Sequence, residues 1–587
     1  MSNDLYQFNF EHDQQPTENQ YPINDVQWIY VNDINQANYS NGFINFTNVS
    51  IIGSSFEKQY DWSQAYITMP YTVVIQPSGG ANGLSFVADD ANVNALSVKS
   101  YATMIDWVSA KFNGVSVTRN SYYNHLMMNE RIKTYNNDKY RQIGDLMNHE
   151  WDTPGGLSYS ATIGERNNNT APTTLATGFN VNNVVNQGHL DRCAKTNVDI
   201  TNVANSSLAS FMGANNTTLR ETVGQNLMIY NNTDAIVYQG TAIIMLSELH
   251  DFFKQMVSVS SSSGFELRLQ SNLSRENSYV LKYAAMAAGA VTPQIPNLVT
   301  SQQIVGHCCP FLLSNPCGVA AGPTGGNTGL TINTTAAIPN ESTITIRSYI
   351  GWGNTLNLTG GTLGNISWGN ANPCRIYLPS INFNNSYIKQ IVQNPQHSLK
   401  YLDYYVDIDE GKEQGSSISR LFNVQLSRVR TLYIIPFLSG SGTVPSPFNS
   451  PISSAPITCS PGCKLKNLNI QIGGQNIFTE SQSFDSQFFV NNALSIMGDV
   501  NGNSMKSKLF SGQITKSMWS NGGYNVYSIN LQKCADSIQD SLMKSFQLLF
   551  QLESSTGTKL KYDLYYMITY QSELNLDRST GTITNGF

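Results

Sequence analysis

The chain is short of charge. Asp, Glu, Lys and Arg make up 13% of its 587 residues, about half of the ~25% usual in soluble domains. Acidic residues outnumber basic ones by 40 to 34, the net charge is −6, and no stretch concentrates Lys and Arg. A protein that holds nucleic acid by neutralising phosphate shows a basic face or tail, so direct, specific nucleic-acid binding is not expected here. Long apolar runs are also missing: no stretch approaches the ~18 residues needed to cross a bilayer. The N-terminal MSNDLYQFNFEHDQQPTENQ is mildly acidic and lacks the basic and apolar regions of a secretory signal. Cysteine is sparse and scattered, at Cys193, Cys308, Cys309, Cys317, Cys374, Cys459, Cys463 and Cys534. That pattern does not build a disulfide framework, and it points to synthesis in a reducing compartment, not to secretion. Asn-x-Ser/Thr triplets such as Asn45-Phe46-Thr47 then read as a by-product of an Asn- and Thr-rich composition.

Catalytic signatures are lacking as well. There is no Gly-x-Ser-x-Gly elbow, no His-Glu-x-x-His pair and no phosphate loop; Thr324–Gly329, TGGNTG, lacks the lysine. His307-Cys308-Cys309 with Cys317 invites a zinc reading, but adjacent cysteines are poor co-ligands and no second pair lies nearby. Cys459-Ser-Pro-Gly-Cys463 could close a small disulfide or join a zinc site, and reads more simply as a Pro-Gly turn with two bystander thiols. Asp499-Val-Asn-Gly-Asn-Ser504 begins like a calcium loop, but Ser504 and Phe510 stand where that loop needs Gly and Glu. Asp407, Asp409 and Glu410 form a carboxylate cluster of the kind that hydrolyses glycosides or binds calcium. Alternation around Ile408 equally gives a solvated strand end. His250-Asp251 could be half of an acid–base dyad, or a solvated or interface face of a short helix. No catalytic, cofactor-binding or metal site is assigned, and the chain is not expected to be an enzyme.

What the chain has in abundance is aromatic and amide side chains, with 30 Tyr and 25 Phe. In Lys464–Phe478, KLKNLNIQIGGQNIF, Leu468, Ile470 and Ile472 alternate with Asn467, Asn469 and Gln471 before Gly473-Gly474. Strict alternation predicts a strand with one buried face, and the glycines predict a tight reversal. The exposed face carries amides where Lys and Glu are usual. Similar signals recur: a hairpin at 110–118 through Asn113-Gly114, and Phe265, Leu267 and Leu269 alternating with Glu266, Arg268 and Gln270. Residues 431–439 form a nearly continuous apolar run, where Pro436 predicts a bulge or an edge. In 559–576, Leu560, Tyr562, Leu564, Tyr566, Ile568 and Tyr570 share one face. Helix signals are few. The best is 247–256, with Ser247 as N-cap and a stripe of Leu249, Phe252, Phe253 and Met256. Residues 539–550 fit either helix or strand. Gly/Pro/Thr-rich 315–343 reads as a divider, and 439–462 as a Ser/Pro-rich loop. Many strands, few helices and long loops over this length predict an all-β chain of two tandem β-sandwiches. Uncharged polar faces suit packing against other copies, because unpaired charge is costly to bury.

The segments also resemble a known family in order. SVKSYATMIDWVSAKFNGVSVT (97–118), TAIIMLSELHDFFKQM (241–256), NPCRIYLPSINFNNSYI (372–388), RTLYIIPFLS leading to the Gly-Gly hairpin, YNVYSINLQK (524–533) and YDLYYMITYQSELNLDRSTG (562–581) are similar to double jelly-roll major capsid proteins of the polinton-like virus, adintovirus, adomavirus and virophage lineage. The resemblance runs from about residue 95 to the C-terminus. It implies two tandem eight-stranded jelly-roll sandwiches: an N-terminal arm over 1–24, a first jelly roll over 25–290, a loop-rich connector over 291–340 and a second jelly roll over 341–587. It further implies a homotrimer forming a pseudo-hexagonal capsomer, contacts with penton and minor capsid proteins, and a place in the virion shell of a double-stranded DNA virus. The competing expectations are a carbohydrate-binding or glycan-hydrolysing β-sandwich using Asp407, Asp409 and Glu410, and a viral spike or minor capsid protein.

Overall fold

The computed structural model describes residues 23–35, 39, 42–48, 58–77, 84–85, 96–118, 122–133, 137–149, 157–159, 166–168, 197–199, 227–231, 235–257, 259–260, 264–273, 278–282, 297–301, 308–313, 317–319, 331–333, 343–351, 353–359, 362–368, 373–426, 428–439, 464–483, 527–531, 544–553, 559 and 561–585. Cys459, Cys463, His307 and the 499–504 turn lie outside them.

The first sandwich is built on β1 (Ile23–Asn32), β2 (Phe43–Asn48), β3 (Tyr66–Pro77), β4 (Ile105–Phe112), β5 (Ala235–Met245), β6 (Phe265–Ser271) and β7 (Arg375–Phe383). One sheet has the order β2–β6–β4, and a second runs β1–β7–β3–β5, all antiparallel. Phe265, Leu267 and Leu269 turn inward from β6 while Glu266 and Arg268 face solvent, as their alternation predicts. After Phe112 the chain reverses through Asn113 and Gly114, at φ 47° and 81°. Positive φ at both central residues is the requirement of a type I′ turn, and Asn-Gly meets it. Trp62 fills the middle of the core, its ring centroid 4.4 Å from that of Phe265 and 5.4 Å from that of Phe112.

The second half is a complete jelly roll. In chain order its strands are β8 (Gln396–Glu413), β9 (Ser417–Leu426), β10 (Val429–Leu438), β11 (Leu465–Ile472), β12 (Gln475–Asn476), β13 (Tyr527–Asn530), β14 (Lys544–Leu552) and β15 (Lys561–Asp577). One sheet has the order β8–β15–β10–β13 and the other β9–β14–β11–β12. First, eighth, third and sixth strands thus face second, seventh, fourth and fifth, with Leu468, Ile470, Leu548, Phe550, Leu564 and Tyr566 in the core between them. The first half repeats part of this order, since β2–β6–β4 sets the closing strand between the opening strand and β4, as β8–β15–β10 does. Of residues 539–550, left open between helix and strand, 544–550 belong to strand β14, and 539–543 lie outside the described residues.

Two local features differ from expectation, and a third meets it. Thr343–Ile350 and β7 lie beyond the expected boundary at 340, yet both hydrogen-bond to β3 in the first sandwich. Their apolar alternation looks the same in either sandwich, so the sequence does not say which sheet they join; the second sandwich's sheets begin at Gln396. The helix expected at 247–256 is two short ones, interrupted by His250 in an extended conformation (φ −150°, ψ 140°). Met245, not Ser247, precedes the first of them. Finally, Pro436 sits opposite Leu564 beyond the Thr431–Ile434 stretch of β10 that β13 pairs with, which is the edge position its missing N–H demands.

Candidate functional site

The two sandwiches meet in a buried joint. Helix α1 (Asn124–Lys133) belongs to the first half, and so do the short helices α2 (Leu246–Leu249) and α3 (Asp251–Gln255). Of these, α1 and α3 pack against β8 and β15 of the second. Leu126 and Met127 of α1, with Cys308, cluster with Tyr404, Ile435, Phe437, Tyr565 and Met567. Leu399, Tyr401, Leu574 and Leu576 from β8 and β15 join the core of the first sandwich outright. This explains why Tyr562 through Tyr570 are all buried. The face opposite the Tyr562–Tyr570 alternation, with Tyr565 and Met567, packs against Leu126 and Met127 of α1 from the first sandwich.

Polar groups then fix the joint. His250 Nδ1 accepts the backbone N–H of Phe252 at 3.2 Å and so caps α3. With Nδ1 an acceptor, Nε2 carries the proton and donates to Asp403 Oδ1 of β8 at 3.3 Å. Asp251 Oδ2 accepts the N–H of Leu402 at 2.9 Å. Tyr404 donates to Asn124 Oδ1 at 2.6 Å and Tyr401 to the Val117 carbonyl at 2.7 Å. Arg131 donates from α1 to the carbonyls of Ser247 and Glu248 at 3.3 and 3.0 Å. Burial alone would push Asp251 up, but Lys254, Arg131 and the Leu402 N–H outweigh it and hold that carboxyl at about 2. Burial opposes charge at Asp403 too, but the hydrogen bond from His250, above the other contacts, holds that carboxyl below its ordinary range. His250-Asp251 is therefore an interface pair, one of the two bland readings of that dipeptide, and the solvated alternative is set aside.

The carboxylate cluster is occupied from within. Arg420 of β9 crosses the second sandwich to Asp407 Oδ2 at 2.7 Å and Asp409 Oδ1 at 3.0 Å, and Tyr566 donates to Asp409 Oδ2 at 3.2 Å. A general acid or base needs a free oxygen aimed at substrate, whereas this pair is spent on a guanidinium. Cys308 and Cys374 are buried, and burial pushes both thiols up, which makes them inert. Among the described residues no group of three His, Cys, Asp or Glu is placed to hold a metal ion.

Two outward faces stand out instead. On β9, β14 and β11 of the second sandwich, Ser419, Leu421, Gln547, Leu549, Asn469 and Gln471 alternate with the core residues. Gln547 donates to Ser419 Oγ at 3.1 Å, and Asn467 to Gln551 Oε1 at 3.3 Å. Charge enters at one border, as the ion pair Lys466–Glu553. On the first sandwich, Val26, Trp28 and Tyr30 of β1 are exposed together.

No family model matches the chain, and no curated protein does. Solved structures resemble it over nearly its whole length at low identity. A chain of the Sputnik virophage shares 11% identity at a TM-score of 0.48, covering 98% of this chain and 91% of that one. The mavirus major capsid protein shares 10% at 0.46 over 98% and 93%, and the Faustovirus major capsid protein 9% at 0.42 over 97% and 94%. At these identities and TM-scores, the likeness assigns no function.

Proposed function

We propose that this chain is a viral major capsid protein whose homotrimers form pseudo-hexagonal capsomers. The observation that carries the reading is the joint: two jelly-roll sandwiches of one chain are packed together through buried apolar side chains from both and are fixed by His250–Asp403 and Asp251–Leu402. A pair locked this way behaves as one rigid block, and three such blocks supply six sandwiches around a ring. The amide face on β9, β14 and β11 supports the reading, since neutral polar groups desolvate at lower cost than charges when copies pack. Its role is structural, in the shell of a virion, with penton and minor capsid proteins as further partners. The division that fits best places β7 and everything before it with the first sandwich and starts the second at Gln396. The glycan-hydrolase alternative loses its support where Arg420 takes up Asp407 and Asp409.

Light scattering on the purified chain, with negative-stain imaging of the same peak, tests this. A mass near three times 64.7 kDa, about 194 kDa, with hexagonal outlines is expected. A chain that stays monomeric across salt and pH overturns it.

A further inference from the structure

Among the described residues, strand β1 is paired along one side only. One edge pairs with β7 along Ile23–Asn32, and no described strand pairs with the other. An open edge of ten residues is a template for another strand. The outward face of the same strand carries Val26, Trp28 and Tyr30 at 40, 53 and 56% exposure. Their rings continue inward along the sheet: Trp28 lies 5.7 Å from Tyr66, Tyr30 lies 5.9 Å from Tyr377, and Tyr66 stacks on Tyr377 at 5.2 Å. Arg375 sits 4.9 Å over the Tyr30 ring. Single exposed apolar residues are ordinary, but a contiguous aromatic patch beside an unpaired edge marks a contact.

The chain itself contains a matching strand. Residues 5–11, Leu-Tyr-Gln-Phe-Asn-Phe-Glu, set Tyr6, Phe8 and Phe10 alternately with Gln7, Asn9 and Glu11, the period of a strand with one apolar face. Glu11 ends that stretch, Asp4 and Asp13 flank it, and no Lys or Arg occurs before Lys58, so its charge complements Arg375. We propose that residues 5–11 of one copy add as a strand to the open edge of β1 in a neighbouring copy, setting Tyr6, Phe8 and Phe10 beside Val26, Trp28 and Tyr30. This rests on the capsomer reading. The intervening residues 12–22 could span ~35–40 Å when extended, far beyond the 2–5 residues of an ordinary hairpin loop. They end in Pro22, which favours an extended approach to β1. A connection this long reaches a neighbouring copy's edge as readily as its own, and the capsomer reading supplies that neighbour. Donor and acceptor are different surfaces, so the contact is head-to-tail, the kind that a closed ring of three copies uses. Pairing β1 with its own copy would be isologous and give twos.

Co-expression of full-length Gln7→Cys and Gln27→Cys chains carrying different tags, followed by a short bis-maleimide, tests the proposal against a chain without added cysteines. A covalent pair bearing both tags is expected. A trimer that yields no such pair, or a Gln7→Cys/Gln27→Cys chain that links only to itself, overturns it while leaving the capsomer reading intact. A wild-type monomer overturns both. In parallel, Phe8→Ser/Phe10→Ser and Trp28→Ser/Tyr30→Ser should each raise the trimer dissociation constant about tenfold or more, with little further loss when combined. Fully additive losses would count against a shared contact.

Discussion

Asp251 and Asp403 stay charged inside the joint because partners arrive from both sandwiches. Asp251 is held at about 2, below the ~3.9 of an unfolded aspartate. A depressed carboxyl contributes stability that is present above the unfolded value and is lost as pH falls through the folded one. Acid should therefore weaken the joint between about pH 4 and about pH 2, by roughly 2 kcal/mol from Asp251. Urea unfolding across that range checks this, and Asp251→Asn should flatten the dependence. Arg420 gives the second residue-scale prediction. Arg420→Met leaves Asp407 and Asp409 facing each other, with Asp409 buried, and should cost roughly 1–3 kcal/mol in denaturant unfolding. Adding Asp407→Asn and Asp409→Asn should restore part of the loss; no recovery would show that Arg420 acts by packing alone. The carboxylates themselves were legible in DIDEG. Their neutralisation was not, because Arg420 sits on the facing sheet and no spacing rule links it to Asp407.

Elements whose contacts are local were read well, and those completed by distant partners were not. The Gly473-Gly474 reversal is self-contained: φ is 59° and 83°, and an added Cβ on Gly474 would meet nothing within 4 Å. Gly474→Val should thus cost about 1–2 kcal/mol from backbone conformation alone, with Gly474→Asn milder; thermal unfolding of the pair checks it, and equal losses would point to a clash instead. The 247–256 stripe was equally legible, since Leu249, Phe252, Phe253 and Met256 are all buried. The break at His250 was hidden, because the ring that caps α3 is held by Asp403, 153 residues away. Strand β15 shows the same limit. Its alternation predicted one buried face correctly, while α1 buries the other through contacts that no window of sequence contains.

At the scale of the molecule, scarcity of charge makes a specific forecast. An interface of amides and aromatics offers salt little to screen. Raising salt tenfold should change the trimer dissociation constant by less than about threefold, measured by light scattering over a dilution series. A steep dependence would mean that ion pairs, and not the neutral faces, hold the copies together. The order of the second sandwich was legible only as a count of strands. Which strand sits beside which comes from pairings across the whole of 396–577, and these became visible with the sheets themselves.

The pairing of β1 with β7 also has a timetable. Ile29 lies opposite Leu378, so a strand made near the start of the chain waits for one made near two-thirds of its length. At ~5–20 residues per second on the ribosome, that wait is roughly 20–70 s. Throughout it both edges of β1 lack this partner, and Trp28 and Tyr30 are bare. Nascent chains of one polysome then present sticky strands to one another before any sandwich is complete, which makes crowding during synthesis the moment of greatest aggregation risk for this protein.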